Sequence, residues 1–98
     1  MKLKGKKRLL DELIKGCKDP KEFIYSVMAL QNQTAKDICE NIDMTTAHFY
    51  VCMNQIMHGQ TIGTSVCVRI AQGLDIDPLI LCRIVADYKV TKYLQNNQ

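Results

Sequence analysis

Tryptophan is absent from the 98-residue chain, and proline occurs only at Pro20 and Pro78. So few breakers and so few large aromatic side chains favour helices over a sheet sandwich. Long apolar runs are also missing. Leu79-Ile80-Leu81-Cys82 stops at Arg83, and nothing approaches the ~20 residues of a membrane span. The early Lys and Arg residues have no apolar stretch of secretory length behind them. These absences argue against a membrane-spanning segment and lead to the expectation of a cytoplasmic protein without a membrane partner.

No CxxC pair occurs either. Cys17, Cys39, Cys52, Cys67 and Cys82 are separated by 22, 13, 15 and 15 positions, whereas a zinc site wants close pairs. An odd number of scattered cysteines in a cytosolic chain reads as reduced thiols. Four of them fall within apolar helical patterns, where free cysteine acts as a small hydrophobe. No HExxH, no glycine-rich phosphate loop and no Ser/His/Asp spacing is visible. The expectation is a protein without metal or cofactor that is not an enzyme.

What is present is a composition suited to one folded domain, with 47% hydrophobic residues. The net charge of +3 is unevenly placed. Residues 1–18 carry seven basic and two acidic side chains, and residues 19–98 carry six and eight. The basic charge is therefore an arm on a slightly acidic body.

Helical periodicity and caps divide the chain. Leu9, Leu10, Leu13 and Ile14 make a narrow stripe that Gly16 can close. Asp19-Pro20-Lys21-Glu22 is a helix start, with Asp19 as cap, Pro20 at the first position and Glu22 as capping-box partner. That helix carries Phe23, Ile24, Val27, Met28 and Leu30 and stops near Gln31. Thr34, with Asp37 three residues on, starts a short helix over 35–41. Thr45 starts another that ends near His58-Gly59-Gln60. A fourth runs over 66–74. Asp77-Pro78 starts a fifth, carrying Leu79, Leu81, Cys82, Ile84, Val85 and Tyr88. The expected organisation is a basic amphipathic arm over 1–18, a folded domain over 19–90 and a polar tail over 91–98.

Residues 34–54 hold the chemistry-bearing pattern. Cys39, Met44, Phe49 and Cys52 sit where two short helices joined by a tight turn pack against each other. Cys39 is small enough for close approach, and Asp43 tolerates the left-handed backbone such a turn requires. Thr45, Thr46, His48, Tyr50, Val51 and Asn54 are left to point outward or sideways. Asn and Thr suit base edges, Asn by pairing with adenine and Thr by meeting the thymine methyl.

The stretch AKDICENIDMTTAHFYVCMN resembles the helix-turn-helix of the lambda-repressor-like family of Cro proteins, phage repressors and related bacterial regulators. VRIAQGLDIDPLILCRI is similar to the helix that follows it in small phage-encoded Cro-like members. The resemblance covers roughly 70% of the chain as a coarse likeness of fold. It implies an all-α, compact five-helix domain that binds double-stranded DNA as a homodimer, with half-sites about 34 Å apart. It departs from the pattern in having Asp43 where Gly is usual, Met53 where Glu is frequent, and a longer connection before the fourth helix.

The expected DNA contacts are Thr34, Lys36, Thr45, Thr46, His48, Tyr50 and Asn54, joined by Lys4, Lys6, Lys7 and Arg8 of the arm. Residues 44–62 hold no Lys or Arg, so phosphate contacts fall to Lys36, the helix starts at Thr34 and Thr45, and the arm. The expected dimer surface is Leu79, Leu81, Val85 and Tyr88 on the last helix. The neutral third helix and acidic body also suit a second role. A host or phage protein partner could be bound through the same helix, as by an anti-host factor or antitoxin, anchored by Tyr50, Val51 and Met57.

Overall fold

The computed structural model describes residues 12–17, 19–60 and 62–96. Among these, residues 12–16 are helical and no strand occurs. Five longer helices follow: α1 (Pro20–Leu30), α2 (Ala35–Asn41), α3 (Thr46–Met57), α4 (Thr64–Gly73) and α5 (Pro78–Asn96). The arm residues Lys4, Lys6, Lys7 and Arg8 lie outside the described residues.

Local sequence accounts for the helix starts. The Asp19 carboxylate accepts from the Glu22 N–H at 2.8 Å, with Pro20 in the first helical position. Thr34 and Asp37 form a reciprocal capping box of 2.9 and 3.1 Å. Thr45 Oγ1 accepts from the His48 N–H at 3.1 Å. α4 begins two residues earlier than its apolar pattern, behind Gly63, which offers no side-chain cap.

The helix ends share one device. Asn32, Asp43, Gly59 and Asp75 follow α1, α2, α3 and α4, with φ of 54°, 52°, 71° and 56°. The next amide in each case reaches back five residues: Gln33 to Met28, Met44 to Cys39, Gln60 to Gln55, and Ile76 to Ala71, at 2.8–3.0 Å. This is the Schellman termination, which satisfies carbonyls that a helix end leaves open. Three of the four use Asn or Asp, the side chains that best tolerate left-handed backbone after glycine.

The core draws on all five helices. Phe23, Ile24 and Val27 of α1 meet Phe49, Cys52, Met53 and Ile56 of α3, with Ile70, Ala71, Leu74 and Leu81 closing the other side. Each is almost completely buried, and burial of a large apolar side chain stabilises by about 1.5–3 kcal/mol. Gly73 lets α4 approach α2: a Cβ there would lie 2.7 Å from Ile38 Cγ2 and 3.0 Å from Ile42 Cγ2.

Side-chain bonds between distant segments hold the helix ends together. Gln31 Nε2 donates to the Leu74 carbonyl at 2.6 Å, and Gln33 Nε2 to that of Gly73 at 3.2 Å. The stretch that stops α1 therefore also closes α4. Tyr88 donates its hydroxyl to the Met57 carbonyl at 3.2 Å, fixing α5 against the end of α3.

Cys39, Cys52 and Cys67 are buried, while Cys17 and Cys82 are half-buried. Burial pushes the Cys39 and Cys52 thiols up. It drives Cys67 up to about 12, with the neighbouring Cys82 adding to the effect. No group of three or more His, Cys, Asp or Glu comes together among the described residues. None of the described helices is long and apolar enough to cross a membrane.

The last helix places the residues of two expectations. α5 continues to Asn96, through residues set apart as a polar tail. The assigned dimer surface is also largely internal. Leu81 is completely buried, and Val85 packs half-buried against the core. Tyr88 is half-buried and bonded to its own chain. Leu79 alone of the four is strongly exposed, at 78%.

Candidate nucleic-acid interface

α2 and α3 are joined by residues 42–45. Cys39, Met44, Phe49 and Cys52 are all buried, as the spacing predicts. The turn is further tied down by Arg69 of α4, whose guanidinium donates to the carbonyls of Ile42 and Asp43, the latter at 2.8 Å. Nothing in the local sequence marks Arg69 for this role. Its partners are backbone oxygens 26 and 27 residues away, which leave no trace in local spacing.

The buried residues of α3 are Phe49, Cys52, Met53 and Ile56. At 3.6 residues per turn the opposite line of the helix carries Ala47, Val51 and Asn54, with Tyr50 beside it. All four are exposed, Tyr50 and Val51 at 53% each. Thr46 and His48 flank this line and are exposed too. The outer surface of α3 therefore carries no Asp, Glu, Lys or Arg, and it mixes small polar groups with two substantial apolar ones. Met57 is half-buried, and its sulfur receives the Lys21 ammonium at 3.9 Å.

The two helix starts differ. At α2 the Asp37 carboxylate accepts the Thr34 amide, and these hydrogen bonds hold its pKa below the usual value. A negative group already occupies this positive helix end, so Thr34 is a cap and its amide is not open to a phosphate. At α3 the first turn contains no acidic residue. Thr45 caps one amide, and the other first-turn amides have no partner within the helix.

Cations near this surface are few. Lys36 is exposed beside Asp37. Arg69 is committed to the turn, and Lys92 stands 5.5 Å over the Tyr88 ring. Glu40 and Asp43 are exposed on the same two-helix unit. The structure thus brings Lys36, Thr45, Thr46, His48, Tyr50 and Asn54 onto one two-helix unit as exposed residues, and removes Thr34 as an amide donor.

Comparison with known protein families, with curated proteins and with solved structures returns no match. Among the described residues the domain is helical without strands, and it presents an exposed helix lacking Asp, Glu, Lys and Arg behind a turn bonded to Arg69.

Proposed function

We propose that this chain is a DNA-binding transcription regulator with a lambda-repressor-like helix-turn-helix, working as a homodimer with α3 in the major groove. The observation that carries the proposal is the outer face of α3. It is free of acidic side chains, rich in groups suited to base edges, and backed by the buried Phe49 and Cys52 and the Arg69 bonds to the turn. The succession of five helices and the short turn around Asp43 agree with it. Thr46 and Asn54 are the candidate base readers. Thr45 positions the helix start, Lys36 meets a phosphate, and the basic arm supplies the remaining affinity.

The test is a mobility-shift titration on DNA flanking the protein's own gene, across a salt series and against random DNA. Specific binding whose strength falls with salt supports the proposal. Equal and weak binding to all sequences contradicts it.

A second role is favoured by one specific observation. Tyr50 and Val51 together expose an apolar patch on α3, and the acidic Glu40 and Asp43 are exposed on the same two-helix unit. Such a surface suits a basic-rimmed apolar groove on a protein partner better than it suits phosphates.

A further inference from the structure

Cys67 of α4 and Cys82 of α5 open onto one cleft. The two helices pack side by side, and the cleft, of about 160 Å³, lies between them and the segment that follows α3. Both cysteines line it, Cys67 buried and Cys82 half-buried, and neither is bonded in a disulfide. They are neighbours: Cys82 acts on the Cys67 thiol through a hydrogen bond as well as through its charge. Ile62 and Val85 add apolar wall. Among the described residues, Lys89 is the one lining residue with a charged side chain, and it is exposed.

We propose that Cys67 and Cys82 together bind one soft monovalent metal ion, of which Cu(I) is the type, as a two-coordinate bis-thiolate bridging α4 and α5. The number and chemistry of the donors select this ion. Structural zinc and iron–sulfur clusters take four protein ligands, and among the described residues no third His, Cys, Asp or Glu joins the pair. Hard divalent ions such as magnesium and calcium take carboxylate oxygens, and the lining has none. Thiolates favour soft ions, and a monovalent ion with a filled d shell is satisfied by two of them in a line.

Binding gives the ion a sulfur lone pair from each cysteine and releases both thiol protons to solvent. The complex then carries one negative charge, which the Lys89 ammonium at the cleft offsets. Cys67 holds its proton tightly in its buried position, so only an ion with a strong preference for sulfur displaces it. The two cysteines stand 15 positions apart on different helices, and no short motif announces them.

The test contains no DNA, so its outcome is independent of the function proposed above. Cu(I) is titrated under argon into the reduced full chain in competition with a colorimetric Cu(I) chelator, and far-UV circular dichroism checks that each variant is folded. The parent should take one equivalent from the chelator, and its thermal midpoint should rise, as it does for a ligand that binds the folded state alone. Cys82→Ser, at a half-buried position, should weaken binding on the order of a hundredfold or more, because the second thiol acts at high effective concentration. Cys67→Ala should do the same; if it unfolds the chain, Cys82→Ser decides. Cys17→Ser, at the other half-buried thiol, should bind like the parent. X-ray absorption at the copper edge should show two sulfur neighbours. Copper left with the chelator overturns the proposal. So does an equivalent that survives Cys82→Ser, one lost with Cys17→Ser, or a copper ion with three or more ligands.

Discussion

Arg69 and Asp43 are joined by a 2.8 Å hydrogen bond from the guanidinium to the backbone carbonyl, across 26 positions of sequence. The same guanidinium also holds the carbonyl of Ile42. Through this contact α4 sets the angle at which α3 leaves the turn. Arg69→Ala should destabilise the domain by about 1.5–3 kcal/mol, the usual range for a hydrogen bond involving a charged group. Urea denaturation measures it. No loss would mean that the turn is held by Met44 and Phe49 alone.

Asp43 sits at φ 52° and is exposed. Left-handed backbone costs roughly 1–2 kcal/mol for most residues with a Cβ, and less for Asp. Asp43→Gly should therefore stabilise the domain by up to about 1 kcal/mol, while the Arg69 bond to the backbone carbonyl is kept. Removing a negative charge beside the candidate interface should also tighten DNA binding on every sequence. A fall in thermal midpoint would contradict the assigned turn.

Gly73 tests the packing of α4 on α2. Gly73→Ala would push a methyl against Ile38 and Ile42 and should cost about 1–3 kcal/mol, as overpacking does. Gly16→Ala, where a Cβ meets nothing within 4 Å, should stay within about 0.5 kcal/mol of the parent. Equal effects from the two would count against the close α2–α4 approach.

The capping box gives a pH dependence. Hydrogen bonds hold the Asp37 carboxyl below its ordinary value in the folded state. A depressed carboxyl stabilises the fold above the unfolded-state pKa, and that contribution is lost as pH falls through the folded one. The difference in thermal midpoint between the parent and Asp37→Asn should be full at neutral pH. It should shrink through the acidic carboxylate range and vanish where Asp37 is protonated. A difference independent of pH would place the effect elsewhere.

The features legible in the sequence were those decided by neighbouring residues. Asp19, the Thr34–Asp37 pair and Thr45 cap helices because the groups they satisfy lie three positions away. Cys39, Met44, Phe49 and Cys52 were legible because close packing across one short turn fixes their spacing. The Gln31, Gln33 and Arg69 bonds were not, since each joins backbone more than 25 positions away. Nor could the buried side of α5 be chosen. Leu79 and Leu81 stand on opposite sides of a helix that is apolar on both, and contact with the core and α3 decides between them. The cap at Thr34 is legible from its spacing to Asp37, and the Asp37 carboxylate that completes it closes the Thr34 amide to phosphate.

The central claim is that α3 reads DNA while the arm supplies affinity without specificity, and one titration tests it most directly. Binding to DNA flanking the protein's own gene and to random DNA is measured across a salt series for the parent, a variant lacking residues 1–8, Thr46→Ala and Asn54→Ala. Loss of residues 1–8 removes Lys2, Lys4, Lys6, Lys7 and Arg8. It should weaken binding to all sequences alike and make the salt slope shallower by up to ~0.9 per lost phosphate contact. Thr46→Ala and Asn54→Ala, both at exposed positions, should each cost about 1–3 kcal/mol on the specific site, with little change on random DNA or in the salt slope. If both helix variants bind the specific site like the parent while removal of the arm abolishes binding, α3 does not read DNA and its exposed face belongs to another partner.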